Sequence, residues 1–213
     1  MKTRVIQVDP ANVAPAVLEQ ACQVLRQGGL VAFPTDTLYA LGANALDPQA
    51  IERVHTVKGR HHSKPLSLLV PSIEAASNLA SSLPEDVRSL MQAFWPGALT
   101  VVVQAGPKVP AILRGAAGTV GVRMPAGSVA RQLLTAFAGP IIGTSANKAG
   151  GADPADAKTV QKTIGGQIDL ILDGGRVTLG VPSSVIDCTR QPARILREGA
   201  IARSKLRGKI ALA

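Results

Sequence analysis

Aromatic side chains are nearly missing from this chain: three phenylalanines, Tyr39 and Trp95 amount to 2% of 213 residues. Proteins that read single-stranded nucleic acid stack bases on aromatic rings, so that class is disfavoured. The core must instead come from Val, Ile, Leu and Ala, within a hydrophobic share of 46%. Cysteine is also scarce. Cys22 and Cys188 lie far apart and outside any metal-ligand spacing, as buried thiols do in a reducing compartment. Met1 to Asp9 holds Lys2 and Arg4 but no long apolar segment, and no later run is long enough to span a bilayer, which reads as a soluble, cytoplasmic protein. There is no Walker lysine after a glycine-rich loop, no G-x-G-x-x-G after a strand, no H-E-x-x-H and no paired C-x-x-C. Gly143-Thr144-Ser145-Ala146-Asn147 follows a nucleophile elbow only until its fifth position, where Asn147 replaces the glycine, so a serine hydrolase is disfavoured. Acids are few as well: 14 against 23 Lys and Arg leave a formal charge of +9. That balance suits nucleic acid or a polyphosphate, and with so few aromatics a small phosphate-bearing ligand is the better first reading.

What is present centres on Phe33-Pro34-Thr35-Asp36-Thr37-Leu38-Tyr39-Ala40-Leu41-Gly42. Leu30 to Phe33 reads as a buried strand entered through Gly28-Gly29 and stopped by Pro34, with polar groups at its carboxyl end, where α/β proteins place ligands. An ST- or Asx-turn explains the same residues, and alone they favour the turn. Around this stretch, Val5 to Val8 reads as an edge strand. Helices are expected from Ala14 to Gln27, from Asp47-Pro48 to Lys58, from Ser72 to Leu79, from Pro84 to Trp95, from Ser128 to Phe137, and from Asp153-Pro154. Leu66 to Val70, Leu99 to Val103, Thr119 to Met124, Pro140 to Gly143, Ile168 to Leu172, Ser184 to Cys188 and Ala193 to Arg197 read as strands. Residues 105 to 118, with two prolines and three glycines, read as a mobile loop. The expected fold class is α/β: an open, twisted, mixed sheet flanked by helices, in one domain over residues 5–200 with a basic tail at 201–213.

Cations and hydroxyls recur at the ends of these elements. Lys58, Arg60 and Lys64 follow a helix directly, and Arg123 and Arg197 close two strands. Singly each reads as a solvated charge; gathered by the sheet they suit a triphosphate. The order of Pro34-Thr35-Asp36-Thr37-Leu38-Tyr39, Lys58-Gly59-Arg60, Lys64-Pro65-Leu66, Trp95-Pro96-Gly97-Ala98-Leu99-Thr100, Val122-Arg123-Met124-Pro125, Ser145-Ala146-Asn147, Pro182-Ser183-Ser184-Val185-Ile186-Asp187 and Ile195-Leu196-Arg197-Glu198-Gly199 resembles the YrdC/TsaC family of L-threonylcarbamoyl-AMP synthases over nearly the whole chain.

The resemblance implies an open fold around a basic concave cavity. It also implies a nucleotidyltransferase that makes threonylcarbamoyl-AMP and pyrophosphate from ATP, L-threonine and bicarbonate, for threonylcarbamoyladenosine in transfer RNA. Carried over by motif, Lys58 and Arg60 are catalytic. Arg60, Lys64, Thr119, Ser145, Asn147 and Arg197 hold ATP, and Thr37, Arg123, Gly143 and Ser183 surround threonine. Asn147 serves a turn equally well. No side chain is assigned to a metal; magnesium is expected to arrive mainly on ATP. Water exclusion calls for closure of residues 58–65 or 105–118. The chain departs from the family at Ala40 and Gly127, in place of glycine and histidine, and at His61, in place of proline. His61 and His62 read as exposed loop residues or, when protonated, as part of the phosphate field. Asp36 and Asp187 read as capping residues. The short, single-domain form is expected, with later enzymes of the pathway as partners. Two alternatives remain: a non-catalytic RNA binder using Arg203, Lys205, Arg207 and Lys209, and the YciO-like branch.

Overall fold

Elements follow from local signals, and a computed structural model describes residues 2–59, 65–115 and 117–213. Strand β1 (Arg4–Gln7) precedes helix α1 (Pro15–Arg26), which opens on a proline and buries Ala21, Cys22 and Leu25. Gly28, at φ +75°, turns the chain out of the helix into β2 (Val31–Pro34). β3 (Tyr39–Gly42) returns antiparallel to it, pairing Pro34 with Tyr39. The polar stretch is therefore a hairpin turn, and Pro34 belongs to the strand rather than ending it.

Asp47 caps α2 (Pro48–Lys58) by accepting from the Gln49 and Ala50 amides, and Gly59 ends it in the left-handed region. Then come β4 (Leu68–Leu69), α3 (Ile73–Ser77) capped by Ser72, α4 (Glu85–Phe94) and β5 (Leu99–Gln104). Next are β6 (Thr119–Arg123), α5 (Ser128–Phe137), β7 (Ile141–Ile142), β8 (Thr144–Ser145) and α6 (Ala157–Ile164). β9 (Leu170–Asp173), β10 (Ser184–Asp187), β11 (Arg194–Arg197) and α7 (Arg203–Arg207) complete the order. α6 starts three residues after Asp153-Pro154, because Asp156 is the residue whose carboxylate accepts from the Thr159 amide, at 2.8 Å.

The mixed α/β architecture is observed, divided between two sheets. One runs β1-β9-β2-β3-β8, the other β11-β10-β5-β6-β4-β7, and each mixes parallel and antiparallel pairs. A single residue separates them. β7 ends at Ile142 in the second sheet and β8 begins at Thr144 in the first, so the chain crosses at Gly143. A Cβ there would lie 2.3 Å from Leu69 Cγ, so the crossing requires glycine.

Strand alternation decides what faces the space between the sheets. Val101, Val103, Val120, Val122 and Leu68 point into the main hydrophobic cluster, while Thr100, Val102, Thr119, Gly121, Arg123, Ser67 and Leu69 line the opposite face. A second cluster joins α1, α5 and β2 through Leu25, Phe33, Leu133 and Leu134.

Two loop expectations are revised. Residues 106–114 are tied together: the Arg114 guanidinium donates to the Val109 and Gly106 carbonyls, and Ala111–Leu113 forms a 3-10 turn. The terminal segment is docked rather than a solvated tail. Leu206 is buried, the Ala213 amide donates to Ala193 O, and Ala193 bridges to Leu212.

Candidate functional site

A cavity of about 390 Å³ lies between the two sheets. The first sheet contributes Thr35, Thr37, Tyr39, Thr144 and Ser145, and the second contributes Ser67, Thr100, Thr119, Arg123 and Arg197. Seven residues expected at the site therefore line one space: Thr37, Thr119, Arg123, Gly143, Ser145, Ser183 and Arg197. Arg60 and Lys64, with His61 and His62, lie outside the described residues, although Pro65, Leu66 and Ser67 border the cavity.

The hairpin turn shows why two threonines flank an aspartate. Thr35 Oγ1 donates to Leu38 O at 2.7 Å and accepts from the Thr37 and Leu38 amides, which makes the turn. Thr37 Oγ1 accepts from Arg123 Nη1 at 2.8 Å, so its own hydrogen is left for Thr35 Oγ1, 3.0 Å away, or for a ligand. Turn and site are the same residues.

Arg123 is built in from three sides. Its Nε donates to Gly97 O at 2.9 Å, its Nη1 to Thr37, and its Nη2 to Asp36 Oδ1 at 2.7 Å. The Trp95-Pro96-Gly97 motif supplies the first acceptor: the Trp95 indole donates to Leu99 O and the Gly97 amide to Met124 O. Burial lowers the Arg123 pKa from its usual value and the Asp36 carboxylate opposes that shift; a guanidinium stays charged at neutral pH. Asp36, expected as a cap, is the arginine's ion-pair partner. Asp187 does cap, accepting from the Thr189 amide and hydroxyl.

Lys58, expected as catalytic, occupies a different position. Its ammonium donates to Ser145 O at 2.6 Å, Asn147 O at 2.8 Å and Asn147 Oδ1 at 3.0 Å, with Ser145 Oγ 3.4 Å away. Asn147 in turn accepts from Ser145 Oγ at 2.7 Å and donates to Gly151 O and Ala152 O. Both residues are buried and stand behind Ser145, so this pair clamps the turn that presents the serine to the cavity.

At the other end, Arg197 donates twice to Ser183 O, and Ser183 Oγ meets Thr100 Oγ1 at 2.9 Å. Ser184 Oγ donates to Ile201 O and accepts from the Gly199 and Ile201 amides, which fixes the Arg197-Glu198-Gly199 turn against β10. Sequence reasoning missed Thr35, Thr100, Ser67 and Asp153 as lining residues; Ser67 and Thr100 share the strand parity of Thr119 and Arg123, which is the signal available. Among the described residues no group of three His, Cys, Asp or Glu is placed to hold a metal ion.

Comparison with known proteins bears on the family and the fold. The family model Sua5_yciO_yrdC, described as telomere recombination, matches residues 23–199. Threonylcarbamoyl-AMP synthase of Pyrococcus abyssi is 42% identical over 181 residues, covering 85% of this chain and 53% of its own length. The protein of that name from Bacillus subtilis is 35% identical over 215 residues, covering 99% of this chain and 62% of its own. The chain thus spans little more than half the length of these two relatives. The crystal structure of P. abyssi Sua5 complexed with L-threonine superposes with a TM-score of 0.94 at 38% identity, covering 99% of this chain and 63% of that one. Escherichia coli YciO superposes with a TM-score of 0.88 at 27% identity, covering 94% and 97%.

Proposed function

The chain belongs to the Sua5/YciO/YrdC family, and from that premise we propose that it is an L-threonylcarbamoyladenylate synthase. The observation that carries the reading is the convergence of Thr37, Arg123, Gly143, Ser145, Ser183 and Arg197 on one cavity, in a fold that in P. abyssi Sua5 binds L-threonine.

Threonine's free amine and bicarbonate form the carbamate with loss of water. The carbamate oxygen attacks the α-phosphorus of ATP, and pyrophosphate leaves. Arg123 faces the threonine carboxylate through its unused N–H groups, and Thr37 or Ser183 meets the threonine hydroxyl. Arg197, with Arg60 and Lys64, offsets charge on the phosphates; Lys58 and Asn147 hold Ser145 in place. For magnesium the described lining offers one carboxylate, Asp153, which does not make a protein-built cage; the ion is carried by the triphosphate.

The mixed anhydride hydrolyses readily, so an enzyme that transfers its acyl group to RNA must follow. Free cysteines and, among the described residues, no helix long and apolar enough to cross a membrane support a cytoplasmic place. A second reading, RNA binding, is favoured by charge: residues 190–213 hold seven Lys and Arg against Glu198 alone.

The test is pyrophosphate release with ATP, bicarbonate, magnesium and each amino acid in turn. Threonine should be fastest, and valine should be slow because an unpaired hydroxyl partner penalises it. Equal rates with valine would remove the hydroxyl assignment; RNA affinity without pyrophosphate release would favour the second reading.

A further inference from the structure

We infer that Asp36 is a positioning residue for amino-acid recognition, acting through Arg123 as a doubly bonded anchor. The inference deepens the synthase reading and rests on it. Arg123 has five N–H groups, and three are used by Gly97 O, Thr37 Oγ1 and Asp36 Oδ1. One hydrogen on each terminal nitrogen remains, on a guanidinium that borders the cavity. Two N–H groups suit a carboxylate only if the plane of the fork is held fixed.

Asp36 is what fixes it. One oxygen, Oδ1, accepts both from Arg123 Nη2 at 2.7 Å and from the Ala126 amide at 2.9 Å, so a single atom joins the β2–β3 turn, the arginine and the segment after β6. The ion pair is secluded, with side chains 7% and 11% exposed. The backbone holds the aspartate from behind: the Leu179 amide donates to Asp36 O, and the Gly180 amide to Thr37 O. Close approach also needs Gly127, where a Cβ would lie 2.7 Å from Thr35 C and 2.8 Å from Asp36 N. Every contact around Asp36 therefore restricts where Arg123 can point.

Two roles are separable. As an anchor Asp36 works through the acceptor oxygen, which asparagine keeps; as a counter-charge it works through the negative charge, which asparagine lacks. The experiment measures threonine and ATP KM values by pyrophosphate release, with melting temperatures, for wild type, Asp36→Ala and Asp36→Asn. Asp36→Ala should raise the threonine KM by roughly 10- to 100-fold while moving the ATP KM by less than about threefold, the loss expected when a reacting group is misplaced by about 1 Å. Asp36→Asn should recover most of the threonine affinity. An unchanged threonine KM in Asp36→Ala, a parallel rise of both KM values, or Asp36→Asn as poor as Asp36→Ala each overturns the inference while leaving the synthase reading intact. Wild type that shows no threonine-dependent release overturns that reading, and the inference falls with it.

Discussion

Lys58 and Arg123 are both carried into the interior beside one cavity, 3% and 6% exposed, and they are held differently. The Lys58 hydrogens are directed at two main-chain carbonyls and an amide oxygen of a single turn, Ser145 to Asn147. The Arg123 fork meets a carbonyl, a hydroxyl and a carboxylate from three separate segments, and two of its N–H groups stay unassigned. A compact ammonium directs its donors at the loop it organises, whereas a planar guanidinium anchored along one side keeps donors for a ligand. Two residues alike in charge at the level of sequence therefore divide into a clamp and, on the proposed function, a recognition group.

Removing each cation is the most direct way to break that contrast. Lys58→Met takes the ammonium away from Ser145 O, Asn147 O and Asn147 Oδ1, of which the first keeps the Asn147 amide and the last the Ser145 hydroxyl as donors, and about 3 kcal/mol of stability should be lost, measured by urea denaturation. Activity should fall for ATP and threonine together. A variant that unfolds like wild type but loses only ATP affinity would make Lys58 a ligand group and end the comparison. Arg123→Lys keeps the charge and loses the fork; about 2 kcal/mol of threonine binding should go, read as a raised KM, with a smaller change in urea midpoint.

Helix starts were legible because Asp47-Pro48 and Ser72 are local signals, and seven of the residues chosen by motif line the cavity. The partition into two sheets was not. It turns on the single residue Gly143, whose need for glycine comes from Leu69, 74 positions earlier, and an apolar run before a polar tetrad shows nothing of that. Tyr39–Gly42 was hidden as a strand because a polar turn follows β2 at once and draws attention to itself. Asp36 read as a cap since its partner is 87 residues away, and the Lys58 contacts were illegible since carbonyl acceptors have no residue signature. The docked terminus was hidden by its charge: one buried residue, Leu206, does not stand out among Arg203, Lys205, Arg207 and Lys209.

Smaller changes sharpen the contrast by separating the cavity's geometry from its charges. Gly143→Ala adds a methyl against a buried leucine where the chain passes between sheets, and should cost about 1–2 kcal/mol, seen as a lowered melting temperature with both KM values rising together. Both Asp36→Ala and Arg123→Lys should leave the ATP KM nearly still, so a common rise marks distortion of the cleft rather than loss of one recognition group.

The smallest effect concerns the two thiols, which report on the two hydrophobic clusters of the scaffold. Cys22 sits in the α1–α5 cluster, and Cys188 packs against the main cluster. Burial raises both pKa values, and Cys188 goes from 9.0 to about 12 with help from the neighbouring Asp187 and Asp86 carboxylates. A raised thiol pKa means the folded state favours the neutral form, so this contribution to stability is complete below pH 9 and is lost as pH climbs from about 9 to about 12. At pH 8 the Cys188 thiolate is therefore far scarcer in the native protein than in the unfolded chain. Iodoacetamide at pH 8 should therefore label neither cysteine in the folded protein and both in urea, read by mass spectrometry. In Lys58→Met, labelling of both thiols should rise together with the urea-unfolded fraction; in Arg123→Lys it should stay at the wild-type level. Equal labelling of the two variants would mean that both cations serve the scaffold alike, and the division between clamp and recognition group would not hold.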